Sequence, residues 1–313
     1  MIPDFPQFKS IEISDKEIVD SITSKYPPYS DFNFISMWSW DVNNEMKISK
    51  LNDNLVVFFS DYVSGKHFLS FIGQNKIKET TTELLKFSKK NYGSGLLKLI
   101  PEEIANALIG EFNLKLDVDS FDYIFSIKNL INMDTWPNHT SGQKIRNFLK
   151  SYPDYVVKVQ NISEINNIDY INLFENWAKN KNIENPLELN EFKAFKRFLQ
   201  ITDTNMGVIS LYLKDSLIGF SMYEIISGEY AISHFIKANT KEYNSVYDIL
   251  NWEEAKILDS KGVKYYNWEQ DLGIQGLKFS KEKYKPSFYF KKYIVQNKSF
   301  KNTLYNIINH IKS

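Results

Sequence analysis

The chain contains no cysteine, which removes disulfides, thiolate nucleophiles and cysteine-bound metals from consideration. Histidine is nearly as scarce. His67, His139, His234 and His310 are far apart and form neither H-x-H nor H-E-x-x-H, so a histidine metal centre is not expected. The few glycines leave no G-x-x-x-x-G-K-[ST] loop and no G-x-G-x-x-G fingerprint, which excludes the phosphate cradles those motifs build. The absence of G-x-S-x-G argues against an α/β-hydrolase. No apolar run approaches the ~20 residues that span a bilayer. Met1 to Ser10 carries two prolines and an aspartate where a secretory leader would have an apolar core. These absences lead us to expect a cytoplasmic protein without an integral membrane segment.

Apolar material is plentiful. At 43% hydrophobic and 15% aromatic residues the chain can fill packed cores, and its 313 residues suggest two domains. Formal net charge is zero, but nine lysines and one acid, Glu282, lie between Lys278 and Ser313. That end carries a local balance of +8, and residues 1–277 therefore carry −8. A basic end attracts phosphate-rich partners such as tRNA, coenzyme A or anionic lipid headgroups. A solvated lysine face is the expected reading for Lys298, Lys301 and Lys312, and phosphate contact the expected one for Lys278 and Lys281 inside the motif below.

The densest chemistry is the stretch from Asn267 to Lys278, running on to Lys281, Tyr284 and Pro286. It follows an apolar strand pattern, Val263 to Trp268. Strand alternation would project Asn267, Glu269 and Asp271 to one face, with Tyr266 and Trp268 opposite. Gly273 and Gly276 suit a tight turn with bare amides. A following helix would carry Lys278, Lys281 and Lys285 and stop at Pro286. Acids at the carboxyl end of a strand, beside a glycine turn and a cationic helix, suit a charged substrate. The same pattern also fits an ordinary strand-to-helix connection with a solvated face.

Asn267 to Pro286 resembles the signature N-x-E-x-D-x-G-x-x-G-L-[RK]-x-x-K-x-x-Y-x-P of the bacterial family that includes the C-terminal catalytic domain of phosphatidylglycerol lysyltransferases. Two weaker stretches agree: Tyr29 to Phe32 leading to Trp38 and Trp40, and Phe121 to Phe125 followed by Gln143 to Phe148. In the last of these the family usually reads Lys-Arg-Asn-His. Arg146 and Asn147 match it, and Phe148 replaces the histidine. Lys278 stands where the family often has arginine.

The element pattern fits that resemblance. Strands at 55–61 and 66–72 are expected around a turn at Val63-Ser64-Gly65, then a helix at 79–91 and strands near 96–100, 115–118 and 122–127. The second half repeats the order: strands at 207–214, 217–226 and 229–238, a helix at 245–260, strand 263–268, the motif, and a final strand at 287–295. This is the order of the GNAT acyltransferase fold. The expected architecture is therefore α+β, two tandem GNAT-like (acyl-CoA N-acyltransferase) domains with mixed, mostly antiparallel sheets flanked by helices. The polar stretch Asn132 to Gly142 reads as the linker, giving an N-terminal domain at 1–140 and a C-terminal domain with the site at 141–313.

The resemblance, shared with the Fem-type peptidoglycan-bridge aminoacyltransferases, implies transfer of an aminoacyl group from charged tRNA to an amine or hydroxyl acceptor: a small molecule, lipid headgroup or peptide. Carboxylates suit that chemistry, because they hold an ammonium or accept a proton. Asp271 and Glu269 are the expected catalytic pair, Asp271 first, and His234 can line the same cleft. Lys278 and Lys281 are expected to hold phosphate oxygens, with Arg146, Asn147, Asn267, Gly273 and Gly276 completing the substrate contacts. An acyl-CoA donor is the alternative. Against it, the stretch Lys237 to Ser245, where a GNAT fold places its diphosphate loop, contains no glycine. A non-catalytic descendant binding a small molecule or RNA is the third reading.

Overall fold

A computed structural model describes residues 1–61, 64–136, 140–203, 205–227 and 229–298. The turn at Val63, the turn at Gly228, part of the 132–142 linker, and His139, Lys301, His310 and Lys312 lie wholly or partly outside those residues. In chain order the first elements are β1 (Lys9–Ser10), α1 (Lys16–Thr23), α2 (Phe34–Trp40), β2 (Lys47–Leu51), β3 (Asn54–Ser60) and β4 (His67–Ile72). There follow α3 (Ile77–Tyr92), β5 (Leu96–Pro101), α4 (Glu102–Ala107), β6 (Phe112–Leu116), β7 (Asp122–Ser126), α5 (Ile127–Ile131), α6 (Thr140–Ser151) and β8 (Tyr155–Asn161). The remainder are α7 (Asn167–Asn180), α8 (Asn190–Phe198), β9 (Met206–Leu213), β10 (Ser216–Ser227), β11 (Tyr230–Ala238), α9 (Val246–Ser260), β12 (Tyr265–Asn267), α10 (Gln275–Glu282), β13 (Phe288–Phe290) and β14 (Lys292–Asn297).

The chain forms two compact units. One comprises residues 1–25, 43–121 and 290 onward, and the other residues 26–42 and 122–289. The first holds a seven-stranded sheet in the order β1-β2-β3-β4-β5-β14-β6, the second a seven-stranded sheet in the order β13-β7-β12-β11-β10-β9-β8. This division replaces the contiguous boundary expected at residue 140. Each sheet takes one strand from the far half of the sequence: β14, from near the end of the chain, lies between β5 and β6, and β7 lies beside β12. Such an exchange leaves no local trace, because a strand's own pattern reports its burial and not its partner.

In the second unit β8, β9, β10 and β11 run antiparallel, and β12 pairs parallel to β11 through the crossover helix α9. Helices α5, α6 and α9 cover one face, where Phe125, Ile145, Phe148, Leu211, Leu250 and Tyr266 are buried. Helix α9 approaches β10 closely because Gly219 has no side chain: a Cβ there would stand 2.6 Å from Val246 Cγ1. Helices α7 and α8 pack aromatic rings onto the other face. Phe195 lies 5.6 Å from Phe220 and 5.4 Å from Phe235, and Phe174 lies 5.0 Å from Phe192. Among the described residues, no helix is long and apolar enough to cross a membrane.

One buried acid on the α9 face stands apart. The carboxyl oxygens of Glu254 make no aligned hydrogen bond among the described residues. Burial lifts this carboxyl from 4.5 to about 7, with the Ser221 and Tyr266 hydroxyls pulling the other way. The folded state therefore binds the proton more tightly than the unfolded chain does. The resulting stability is complete below pH 4.5 and disappears as pH rises through about 7. Relative to Glu254→Gln, the wild type should lose about 3 kcal/mol of unfolding free energy over that range. Urea midpoints of both proteins at pH 5 and pH 8 check this, and parallel pH profiles would refute it.

Candidate functional site

The site begins where the ladder between β11 and β12 ends. Pairing covers Tyr230↔Tyr265, Ala231↔Tyr266 and Ile232↔Asn267, and β11 then runs on to Ala238 without it. After Asn267 the backbone leaves strand geometry: the Trp268 N–H bonds to the Tyr123 carbonyl, and Glu269 adopts φ 57°. A left-handed residue other than glycine is uncommon and marks a conformation that its surroundings hold in place. Here the Asn267 carboxamide does so, accepting from the Glu269 N–H at 2.7 Å and donating to the Pro28 carbonyl at 2.9 Å. Strand alternation is thereby broken, and Asn267, Glu269 and Asp271 do not share one face as expected. Tyr266 and Trp268 do pack into the core, Trp268 lying 4.1 Å from Phe125 and 5.0 Å from Tyr284.

Strand β11 supplies the histidine. Its register against β10 shifts between Met222↔Phe235 and Tyr223↔Ser233, leaving His234 as an extra residue. That bulge lets two consecutive side chains face the same way: His234 and Phe235 both lie against Phe198, at 5.1 and 5.2 Å. His234 Nδ1 is 3.6 Å from Glu269 Oε1, and Nε2 is 3.4 Å from Glu224 Oε2. The second contact is an ion-pair distance without hydrogen-bond alignment. Burial alone would lower the imidazole pKa, but the two carboxylates outweigh it and hold it up at about 9. At neutral pH His234 is charged.

The segment from Tyr26 to Val42, part of this unit despite its place in the sequence, completes the cluster. Ser36 Oγ donates to Glu269 Oε1 at 3.0 Å and lies 3.4 Å from His234 Nδ1. Asn33 caps α2 by accepting from the Ser36 N–H, and its amide donates to Glu224 Oε2 at 2.7 Å. Ser30 bonds Asp122 through both hydroxyl and N–H, and Gln270 donates to Asp31 at 2.9 Å. The Arg197 guanidinium, stacked 4.5 Å from the Trp38 ring, donates to the Trp38 carbonyl and ties α2 to α8.

The other expected site residues divide by environment. Asp271 is buried and fully bonded: Tyr123 Oη donates to it at 2.6 Å and the Gly273 N–H at 2.8 Å. It closes the turn in which Leu272 and Gly273 both have positive φ. Lys281, expected to hold phosphate, is buried and donates to the Trp268 and Gln270 carbonyls. Its ammonium tethers the loop. Lys278 is part-exposed on α10, 3.9 Å from Glu282, and Gly276 has open space around it. Arg146 and Asn147 sit on the exposed side of α6, Arg146 donating to the Asp134 carbonyl. Among the described residues neither bonds to the Glu269 cluster. Phe148, where the family places histidine, is core packing 4.9 Å from Tyr152.

Asn33, Ser36, Glu224 and Tyr123 were not singled out from the sequence. Glu224 did leave a signal, as the one charged residue inside the largely apolar run from Leu217 to Ile226. Around Lys237 to Ser245, Ser245 occupies the N-cap of α9 at φ 74° and makes no side-chain cap. Asp248, in the first turn, is bound by Tyr284 Oη at 2.8 Å and Lys283 at 3.2 Å, with Lys144 at 3.8 Å. Among the described residues no group of three or more His, Asp and Glu side chains could hold a metal ion.

This architecture is that of tandem GNAT-like proteins. A conserved protein of unknown function from Bacteroides thetaiotaomicron matches it with a TM-score of 0.77 at 22% identity, over 95% of this chain and 100% of its own. The C-terminal domain of a protein assigned as a lysylphosphatidylglycerol synthetase from Agrobacterium fabrum gives 0.61 at 11% identity, over 95% of each chain. FemX gives 0.55 at 10% identity, over 96% of this chain and 99% of its own. Residues 23–296 match the family described as phosphatidylglycerol lysyltransferase, C-terminal, and the chain belongs to that family.

Lys281→Met, which keeps the stem and removes the ammonium, should destabilise the protein by roughly 1–3 kcal/mol, because two loop carbonyls lose their donor. Lys278→Met should cost under about 0.5 kcal/mol. Denaturant unfolding of both variants separates the tether from an open cation, and equal midpoints would contradict the assignment.

Proposed function

We propose that this protein is an acyltransferase that moves an aminoacyl group from charged tRNA to an amine or hydroxyl acceptor, with Glu269 at the reacting centre. The observation that carries the reading is the Glu269–His234–Glu224 cluster at the end of the β11–β12 ladder, in a chain of the lysyltransferase C-terminal family. Glu269 is its most open member, with 19% of its side chain exposed against 2% for His234 and 6% for Glu224. It therefore takes the role expected first of Asp271, whose oxygens shape the turn.

The donor ester is already activated, so the protein must chiefly position two substrates and move one proton. The acceptor N–H or O–H loses its proton to Glu269 as its heteroatom bonds to the acyl carbon. The carbon–oxygen bond to the tRNA ribose then breaks, and the proton passes to the departing ribose oxygen. Charged His234 lies beside the Glu269 carboxylate and cannot itself take up the proton at neutral pH. Part-exposed Lys278 and the solvent-facing backbone at Gly273 and Gly276 are the groups assigned in this reading to phosphate of the tRNA end or of a lipid headgroup. An acyl-CoA donor is less well served: residues 237–245 have no glycine, and the Asp248 carboxylate puts negative charge in the first turn of α9.

Glu269→Gln should lower aminoacyl transfer ~10²–10⁴-fold without weakening tRNA binding. The measurement is loss of a labelled aminoacyl group from a mixed tRNA pool, offered small amines or phosphatidylglycerol vesicles. It is paired with fluorescence anisotropy at two salt concentrations, since nonspecific lysine contacts fade with salt. Displacement of tRNA by micromolar acetyl-CoA would move the reading to an N-acetyltransferase. Absence of both tRNA binding and turnover would leave a non-catalytic binding protein.

A further inference from the structure

Of the three ionisable groups in the cluster, two are buried, and they differ in what they touch. Glu224 Oε2 lies 3.4 Å from His234 Nε2 and accepts from the part-buried Asn33 amide at 2.7 Å. Asn33 is itself fixed, because its carbonyl oxygen caps the first turn of α2 at the Ser36 N–H, 2.8 Å away. The opposite edge of the imidazole meets Ser36 and Glu269. The ring is thus addressed from β10 by Glu224, from the motif loop by Glu269 and from α2 by Ser36. From α8 it meets the uncharged ring of Phe198. A carboxylate that grips one nitrogen of a ring, while the other nitrogen faces the reacting group, has the geometry of an orienting third member.

We infer that Glu224, steadied by Asn33, is a positioning residue: it fixes the His234 ring and the proton that ring carries, leaving Glu269 to meet the substrate. The inference rests on the transferase reading only for the chemistry that the arrangement serves. Buried charge must be balanced, and one carboxylate facing one imidazolium would be neutralised by it. Two carboxylates flanking the ring leave the trio with one net negative charge. Glu224 supplies the inner counter-charge, so Glu269 is not held wholly by the ring and can face outward. Asn33 extends the same chain of contacts to α2, which makes the orientation of His234 depend on a segment distant in sequence.

The test is an NMR titration of the full chain carrying ¹³Cε1-labelled histidine. His234→Gln assigns the resonance among the four histidines. In the wild type His234 keeps its proton past neutral pH. Glu224→Gln should bring the titration midpoint down by roughly one unit or more, Asn33→Ala by less, and Glu224→Asp, which retains the charge, should recover part of the loss. An unmoved midpoint in folded Glu224→Gln overturns the inference. If that variant does not fold, an unmoved midpoint in Asn33→Ala overturns it instead. Where transfer is measurable, Glu224→Gln should lower kcat at least several-fold with KM little changed, and a KM effect alone would count against positioning. A shifted midpoint in a protein without transferase activity would keep the positioning role and remove the transferase reading, so the two failures are distinct.

Discussion

The three-residue ladder between β11 and β12 is the constraint from which the geometry of the second unit follows. A parallel pair satisfies the backbone groups of both strands only while it lasts, and each group beyond it needs another partner. After Asn267 those partners are the Tyr123 backbone in β7, the Asn267 carboxamide and, for the carbonyls of Trp268 and Gln270, the Lys281 ammonium. On the other side, β11 continues past the ladder and bulges at His234. One strand turns away and the other bulges, and the polar side chains of both collect between them. The left-handed Glu269 would not be needed if the ladder ran further.

Electrostatic pairing then separates scaffold from chemistry. Buried charges are tolerated when they are hydrogen-bonded or paired, and most of those in this unit are. Asp122 holds Ser30, Asp271 holds Tyr123 and Gly273, and Asp248 holds Tyr284 and Lys283. Glu224 and His234 hold each other. Glu269 has the same kinds of contact but retains a solvent-facing side, and that difference is why the proposed reacting role falls to it rather than to Asp271. Glu254 is the buried acid that lacks aligned partners, and it answers by holding its proton instead.

Much of the fold was legible in the sequence, because alternation and helical periodicity report burial directly. The strands 206–213, 216–227 and 230–238 and the helix 246–260 fall within a residue or so of expectation, and their order identified the GNAT-like unit. The strand exchange was not legible. β7 and β14 show only that they are strands, and nothing in Asp122 to Ser126 names β12 as its neighbour. The site was legible as a place but not as a set of roles. Asn33 and Ser36 lie inside the stretch that resembled the family near Trp38, yet their partners Glu224 and Glu269 are some two hundred residues away. Contacts of that separation leave no spacing to read.

The density of polar residues from Asn267 to Lys281 has its own physical cause. Glu269 and Leu272 occupy the left-handed region without being glycine, each at a cost of roughly 1–2 kcal/mol. A loop bent that far from preferred geometry persists only if side chains bind its backbone, and Asn267, Asp271 and Lys281 do so from three directions. Most of the motif is therefore needed to present one residue. A reading that assigns chemistry to every polar position in it overcounts, and one that calls it a plain connection misses why a plain connection would not need those bonds. Glu269 lies where both arguments meet, since the strain is centred on it and the solvent-facing carboxylate is its own.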